Sequence, residues 1–507
     1  MQKISKLLNQ FVNSLPDLLR IKNKYTMRNF LWVLITWSFV MASSPHIETA
    51  IAQEKDNFIW NAGVASVNIT PKLPMWMAGY GSRNRPGDEV VQPIHAKALA
   101  IEDKNGKIAV IVTLDILGIP RIVRDAVEEQ VKSQFGVSPS YLMMNASHTH
   151  SGPEIRAIET FFGKENPQRT ERVNLYRDNL EKKIVKVIEE AFSKMEPAKI
   201  GYAKGSAGFA INRRENYLLA DDDIRKGLRP NTEGPVDHDV PILEVTSIDG
   251  SLVAVLFGYA AHATTIGGYA FHGDYAGFAQ HHIEEFNPGA VALFMAGAGG
   301  DQNPHPRRNM VDGLSGYDLA DMHGRTLALA VEAARNAHPI LIEARLESIL
   351  EEVQLEYLPA PGREELQRDA ESSNRTVREN AQVLLGWLDR DGQLPIQYSY
   401  PVQVMHFGDE LTLVALASEV VVDYSLRLKR ELSGQNVWVA SYSNDFLGYI
   451  PSHRIWLEGG YEGGDSMTFS STTLYRGAAH PNIWAPTIER EIIKKVHELD
   501  GRIQYRQ

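Results

Sequence analysis

Two histidines stand two apart in Asn145-Ala146-Ser147-His148-Thr149-His150-Ser151-Gly152-Pro153-Glu154, directly after the apolar run Tyr141-Leu142-Met143-Met144 and before a Gly-Pro turn. Side chains at i and i+2 of an extended strand share a face, so the spacing lets one neutral imidazole ligate a zinc ion while its neighbour stands beside the bound water. A polar loop with two solvated histidines has the same short spelling. A further histidine sits at an equivalent junction, Phe257-Gly258-Tyr259-Ala260-Ala261-His262-Ala263-Thr264-Thr265. A third junction, Leu413-Val414-Ala415-Leu416-Ala417-Ser418-Glu419, ends an apolar run on a carboxylate. An unpaired charge there is costly; the competing reading is a glutamate opening the helical stretch Val420 to Lys429 and favoured by its dipole. The fourth junction, Ser443-Asn444-Asp445-Phe446-Leu447-Gly448-Tyr449-Ile450-Pro451, places a tyrosine after a strand, with Tyr461-Glu462-Gly463-Gly464 following. Ligands of open α/β sheets gather beyond the carboxyl ends of strands, which is where these four ends can meet.

The elements that must carry these residues alternate strand-like and helix-like stretches, the rhythm of an α/β layer protein with mixed sheets, flanking helices and a metal site at the strand ends. Expected strands are Ile108–Leu114, Val253–Tyr259, Ala290–Met295, Leu411–Leu416 and Val437–Tyr442. Expected helices are Ile122–Phe135, Asn174–Lys194, Asp318–Ala337, Glu364–Leu388 and Ile488–Leu499, of which Glu364–Leu388 is highly charged and belongs on the outside. Residues 220–239, with Asp221-Asp222-Asp223 and two prolines, read as a polar excursion of the kind that lies over an active site. The triple aspartate is read as a solvated acidic loop before a calcium site.

Composition narrows the chemistry. The 507 residues include no cysteine, which excludes disulfides, thiol nucleophiles and thiolate-bound zinc, so any metal must be held by His, carboxylate or Tyr. Arg20, Lys22, Lys24 and Arg28 precede the apolar run Phe30 to Ala42, and Ala50-Ile51-Ala52 follows it. The run is short for a membrane span, so residues 1–52 read as an export leader cleaved before Gln53, with Met27 a compact alternative start and an uncleaved anchor the competing reading. The expected location is periplasmic or secreted. Residues 1–52 carry six Lys/Arg and two Asp/Glu, so cleavage moves the formal charge from −11 to −15. Nucleic acid is excluded as a partner for such a surface, and no protein partner is indicated.

Taken together, the chain resembles the catalytic domain of the neutral (non-lysosomal) ceramidases over nearly all of residues 53–507. The resemblance rests on the four junctions above and on Ala62-Gly63-Val64-Ala65-Ser66-Val67-Asn68-Ile69-Thr70-Pro71, Met77-Ala78-Gly79-Tyr80 and Pro93-Ile94-His95-Ala96-Lys97-Ala98. It implies a zinc amidohydrolase that cleaves a linear amide, N-acyl sphingosine or a related N-acyl lipid, by zinc-activated water, with peripheral membrane contact. It makes His148, His262, Glu419 and Tyr449 the zinc ligands and sets His150 beside the metal-bound water. Arg213, in Ile211-Asn212-Arg213-Arg214, and Tyr461 match residues that the family places around the reacting carbonyl.

Two departures follow. Gly300-Asp301-Gln302-Asn303-Pro304-His305 stands where the family carries Gly-Asp-Val-Ser-Pro-Asn, so Asn303 replaces the active-site serine. An amide can donate a hydrogen bond to a carbonyl but cannot form an acyl ester. The chain also ends without the immunoglobulin-like domain that ceramidases carry after the catalytic domain. Both departures keep a second reading open, a hydrolase of another small amide or ester, and a third is a zinc-bearing binding protein without catalysis. Asp115, Asp274, Asp301 and His272 lie near the motifs with roles undecided.

Overall fold

A computed structural model of the chain describes residues 57–156, 166–215, 227–432, 436–467 and 480–505, and its layering follows from period-two alternation along the strands. In the strand His95–Glu102, Ala96, Ala98 and Ala100 face one side while Leu99 and Ile101 face the other. In Ile108–Leu114, Val110 and Val112 join the first set and Ile111 the second. Both faces are apolar, so both must be covered.

One face is covered by helices. Val123, Val127 and Val131 of Arg121–Phe135, spaced one turn apart, pack on it together with Ile184 and Ile188 of Pro167–Ser193 and Leu327 of Gly316–Arg335. The small alanines let the helices come close, and at Gly63 any Cβ would lie 2.2 Å from the Ala191 carbonyl oxygen at the end of Pro167–Ser193. The other face packs on a second sheet through Leu99, Ile111 and Met143 against Met405, Phe407 and Trp438. That sheet is backed in turn by Val422–Glu431 and Ile488–Gln504, through Leu428, Ile492 and Val496. The architecture is therefore helices, large sheet, small sheet, helices.

The large sheet has nine strands in the order Val291–Ala296, Leu252–Tyr259, Asp239–Ser247, Glu196–Ser206, Trp60–Asn68, His95–Glu102, Ile108–Leu114, Leu142–Ala146, with Ile340–Leu341 beside Glu196–Ser206. Its two ends are parallel pairs, Leu252–Tyr259 with Val291–Ala296 and Ile108–Leu114 with Leu142–Ala146, bridged by the helices Asp274–Phe286 and Arg121–Phe135. The sheet curls until these edges meet. The buried amide of Asn145 accepts from the Ala296 N–H at 2.9 Å and donates to the Ser441 carbonyl at 2.6 Å, joining both edges to the small sheet. The small sheet runs Leu346–Glu356, Gln397–Phe407, Leu411–Leu416, Asn436–Ala440, its last pair parallel. Three parallel pairs thus deliver their carboxyl ends to one place.

Most expected elements are present with ends shifted by a few residues, but the Glu364–Leu388 helix is two, Arg363–Asp369 and Arg375–Asp391. Asn374 breaks it: its side chain accepts from the Val377 N–H and its own N–H donates to Ser372 Oγ, so side chains replace the helical bonds. The polar excursion 220–239 is partly ordered strand, Gly227–Asn231, pairing with Ala210–Glu215, while its triple aspartate lies outside the described residues, as does the leader 1–52. Phe58–Gln507 clusters as one unit. Among the described residues no helix is long and apolar enough to cross a membrane.

Candidate metal centre and active site

His148 follows the strand Leu142–Ala146, which ends before the histidine, and it takes a left-handed conformation at φ 57°. The two histidines therefore do not share a strand face, as alternation suggested. A kink after the strand brings them together, with His148 Nε2 and His150 Nε2 3.1 Å apart. Ser418, Tyr442 and Asn444, at the ends of small-sheet strands, are left-handed as well, with φ 65°, 53° and 61°. Non-glycine residues tolerate this backbone only where the surroundings impose it, and such residues gather at functional sites. Here the reason is visible: the Ser418 N–H donates to the Asp445 carbonyl and the Tyr442 N–H to the Ser418 carbonyl, locking the turns together.

Each imidazole is aimed by its far nitrogen. His148 Nδ1 lies 2.7 Å from the Leu117 carbonyl oxygen, and its ring stacks on Tyr442 at 4.3 Å between centroids. His262 Nδ1 lies 2.8 Å from the Gly299 and 3.1 Å from the Gln302 carbonyl oxygen. A carbonyl can only accept, so both Nδ1 atoms carry the proton and both Nε2 atoms present lone pairs inward. The Thr149 to Ala263 bridge and the His150 N–H to Ala263 carbonyl bond, 3.2 Å, hold the two histidine segments side by side.

Opposite them Glu419 and Tyr449 sit on a two-residue parallel bridge, Glu419–Val420 with Tyr449–Ile450. Glu419 Oε2 is 3.0 Å from His262 Nε2 and 3.3 Å from His148 Nε2; the Tyr449 hydroxyl is 3.2 Å from His262 Nε2. The ring nitrogens of His148, His150 and His262 all lie within 4.8 Å of one another. Two lone pairs and a carboxylate oxygen at this separation repel one another unless a cation lies among them. The nitrogen and oxygen donors suit a divalent ion such as zinc.

The electrostatics are those of a dry site. Burial, then His148 and His262, hold His150 well below the usual histidine range. Burial, then Arg213, lowers His262 to about 4. Tyr449 is raised by burial, with Arg213 opposing.

Arg213 comes from the strand Ala210–Glu215, which pairs with Gln302–Pro304 and so sets Arg213 beside Asn303. Arg213 donates through Nη2 to the Tyr449 hydroxyl at 2.9 Å, through Nε to Glu462 Oε1 at 2.8 Å and through Nη1 to Asn303 Oδ1 at 3.4 Å. Tyr461, half-buried, places its ring 5.2 Å from that of Tyr449. All eight residues singled out from the sequence thus lie in one cluster: His148, His150, His262, Glu419, Tyr449, Arg213, Tyr461 and Asn303.

Sequence reasoning passed over Glu462. It is fully buried between Arg213 and Arg214 in the π-turn Tyr461–Asp465 and pairs with both guanidinium groups, while Glu458 supplies Arg214 with a second carboxylate at 3.0 Å. Its only local mark is adjacency to Tyr461. The undecided acids are resolved by their partners. Asp301 accepts from the Val422 N–H at 2.9 Å and Asn212 Nδ2 at 2.9 Å, tying the Asn303 loop to the Glu419 strand, and burial followed by Asp423 pushes its carboxyl up to about 6. Asp274 accepts from the amides of Thr265 and Ile266. Asp115 accepts from the His95 N–H and Gln280. His272 is buried, its Nδ1 accepting from the Asp274 N–H. Gly300 cannot carry a side chain, since a Cβ there would lie 2.8 Å from the Glu419 carbonyl oxygen.

Comparison with known proteins gives the family and the fold. Residues 60–318 match the family described as neutral/alkaline non-lysosomal ceramidase, N-terminal. A neutral ceramidase of Oryza sativa subsp. japonica is 24% identical over 275 residues, 51% of this chain, and the match spans only 32% of that longer protein. The crystal structure of neutral ceramidase from Pseudomonas aeruginosa superposes with a TM-score of 0.62 at 19% identity, over 83% of this chain and 72% of that one. A ceramidase complexed with C2 gives 0.63 at 18% identity, over 83% and 73%. At these identities the two structures speak for the fold.

Proposed function

The chain belongs to the neutral/alkaline non-lysosomal ceramidase family, and from that membership we propose that it is a zinc-dependent amidohydrolase cleaving a linear N-acyl amide, N-acyl sphingosine or a related N-acyl lipid, into a carboxylate and an amine. The observation that carries the reading is the convergence of His148 Nε2, His262 Nε2, Glu419 Oε2 and the Tyr449 hydroxyl, with His150 alongside. These four groups hold the zinc. When bound, zinc supplies Lewis-acid polarisation and makes water nucleophilic near neutral pH.

The protein residues then divide the remaining work. His150, kept neutral by burial, takes the proton of the attacking water at Nε2 and passes it to the departing amine nitrogen as the C–N bond breaks. Arg213 and Tyr461 face the developing oxyanion with fixed donors. Asn303 accepts from Arg213 through Oδ1, which turns its Nδ2 donor to a substrate carbonyl. Asn303 has no nucleophilic oxygen, so attack by water is direct and no acyl-enzyme forms.

Elemental analysis combined with turnover of a short-chain fluorescent N-acyl sphingosine tests the reading. Zinc-bearing protein that hydrolyses it, loses activity to a chelator and regains it with zinc supports the proposal. Protein that binds no zinc and cleaves no amide overturns it. Export rests on Arg28, the apolar run to Ala42 and Ala50-Ile51-Ala52; a secreted or periplasmic product with Gln53 as its first residue is the expected result.

A further inference from the structure

Arg83 and Arg308 form a cationic cluster beside His150, extended by Arg307 next to Arg308 in the chain, that no carboxylate answers among the described residues. Tyr80 is its centre. The Tyr80 ring lies 4.9 Å from that of His150, and the guanidinium carbons of Arg83 and Arg308 each lie 4.8 Å from the Tyr80 ring. Arg83 donates to the carbonyls of Ala78 and of His150 itself, the latter at 2.6 Å, and to that of Gly268 at 2.8 Å. Arg308 donates to the carbonyls of Thr264 at 2.7 Å and Ile266 at 3.0 Å and to the Tyr80 hydroxyl at 3.0 Å. Arg307 follows directly on the loop that carries Asn303, and its guanidinium makes no hydrogen bond to a described residue.

Neutral oxygens fix the positions of two of these groups without cancelling the charge of any. Several other buried or half-buried arginines are paired with carboxylates, Arg121 with Asp445, Arg213 and Arg214 with Glu462, Arg335 with Glu244, whereas the buried Arg177 makes no ion pair among the described residues. The buried carboxylate on this side, Asp274, is taken up by the amides of Thr265, Ile266 and Tyr275. Partly burying unpaired cations is costly. Burial lowers Arg83 to about 10, and burial, then Arg308, with a smaller push from Arg213, lowers Arg307. The chain as a whole carries −11, against which a local group of three cations stands out.

Resting on the hydrolase reading, we propose that Arg83, Arg307 and Arg308 form an anion-recognition subsite, and that the preferred substrate carries a carboxylate, phosphate or sulfonate close to the scissile amide. An N-acyl amino acid has this form; an N-acyl amino alcohol lacks it. Arg308 is held through Nη1 alone, which leaves its Nε and Nη2 donors, together with the guanidinium of Arg307, to meet an anion that returns the counter-charge the described residues withhold.

Matched amides separate the sources of the charge. N-Lauroylglycine places a carboxylate on the amine side, N-dodecylsuccinamic acid places one on the acyl side, and N-lauroylethanolamine is the neutral analogue of the first. The zinc-loaded enzyme should favour at least one anionic amide over the neutral one by about tenfold or more in kcat/KM, the scale of one charge-assisted contact. The ratio should shrink between about 50 and 500 mM NaCl. Arg307→Gln should bring it toward parity and Arg307→Lys should keep most of it, and Arg308→Gln is a second probe. A wild type that treats the three amides alike, or a ratio that both glutamine variants leave intact, overturns the proposal. If none is hydrolysed, the hydrolase reading stands or falls on the fluorescent N-acyl sphingosine, and calorimetric titration of the same amphiphiles still reads the subsite: tighter binding of an anionic one sustains it and equal affinities overturn it.

Discussion

Glu419 and Tyr449 are register partners in a parallel bridge only two residues long, and through it the carboxylate and the phenol reach the same nitrogen, His262 Nε2, at 3.0 and 3.2 Å. The bridge makes a ligand pair of residues thirty apart in the chain. Tyr461 lies against this pair, its ring 5.2 Å from that of Tyr449.

Tyr449→Phe should therefore lower zinc affinity and rate together, whereas Tyr461→Phe should lower kcat with KM nearly unchanged, the pattern of an interaction made in the transition state. Zinc titration and steady-state kinetics on both variants check this. Equal zinc retention and equal activity in the two would remove both assignments.

About one zinc per chain is expected, and His148→Ala or His262→Ala should strip it. Each loses a lone pair aimed inward by a backbone carbonyl. Elemental analysis after dialysis reads the result; wild-type zinc content in both variants contradicts the ligand set.

Asn303→Ala should slow hydrolysis by roughly 10²–10³ at most, the loss of one oxyanion-directed donor, without abolishing it. Mass spectrometry of quenched reactions should find no acyl-enzyme in either protein. A trapped acyl adduct would show that attack is not direct.

Glu462→Gln should destabilise the fold by about 3 kcal/mol or more, because it removes the carboxylate that pairs with the buried Arg213 and leaves Arg214 with Glu458 alone. Urea unfolding measures this. A midpoint within error of wild type would mean that Arg213 is neutralised by another group.

Acid should weaken the protein through His480, which burial holds at about 4 beside the Tyr357 hydroxyl and the Leu447 carbonyl. A histidine with a depressed folded-state pKa favours folding above its unfolded value near 6.5. Between there and about 4 the unfolded chain takes up a proton that the folded one refuses, so stability falls as pH falls, by up to roughly 3 kcal/mol over the window. His480→Gln should flatten that stretch of the stability curve in urea titrations at successive pH values. An unchanged slope would assign the acid sensitivity elsewhere.

Local patterns carried a good part of this protein. Apolar runs ending in His148, His262, Glu419 and Tyr449 stand out because strand burial and ligand chemistry impose opposite residue types on adjacent positions. The alternation of strands and helices and the exclusion of thiolate chemistry were legible for the same reason, being properties of short windows or of composition. What only the tertiary structure decided involves contacts across long separations. Asn145 closes the curled sheet onto Ala296 and Ser441, Glu462 neutralises Arg213 from 249 positions away, and Arg308 reaches Tyr80 from 228. No periodicity encodes such meetings, because packing of whole layers sets them. Even the His148–His150 pair, adjacent in the chain, meets through a left-handed kink that strand alternation does not foresee, since its cost is borne by bonds to Leu117 and stacking on Tyr442.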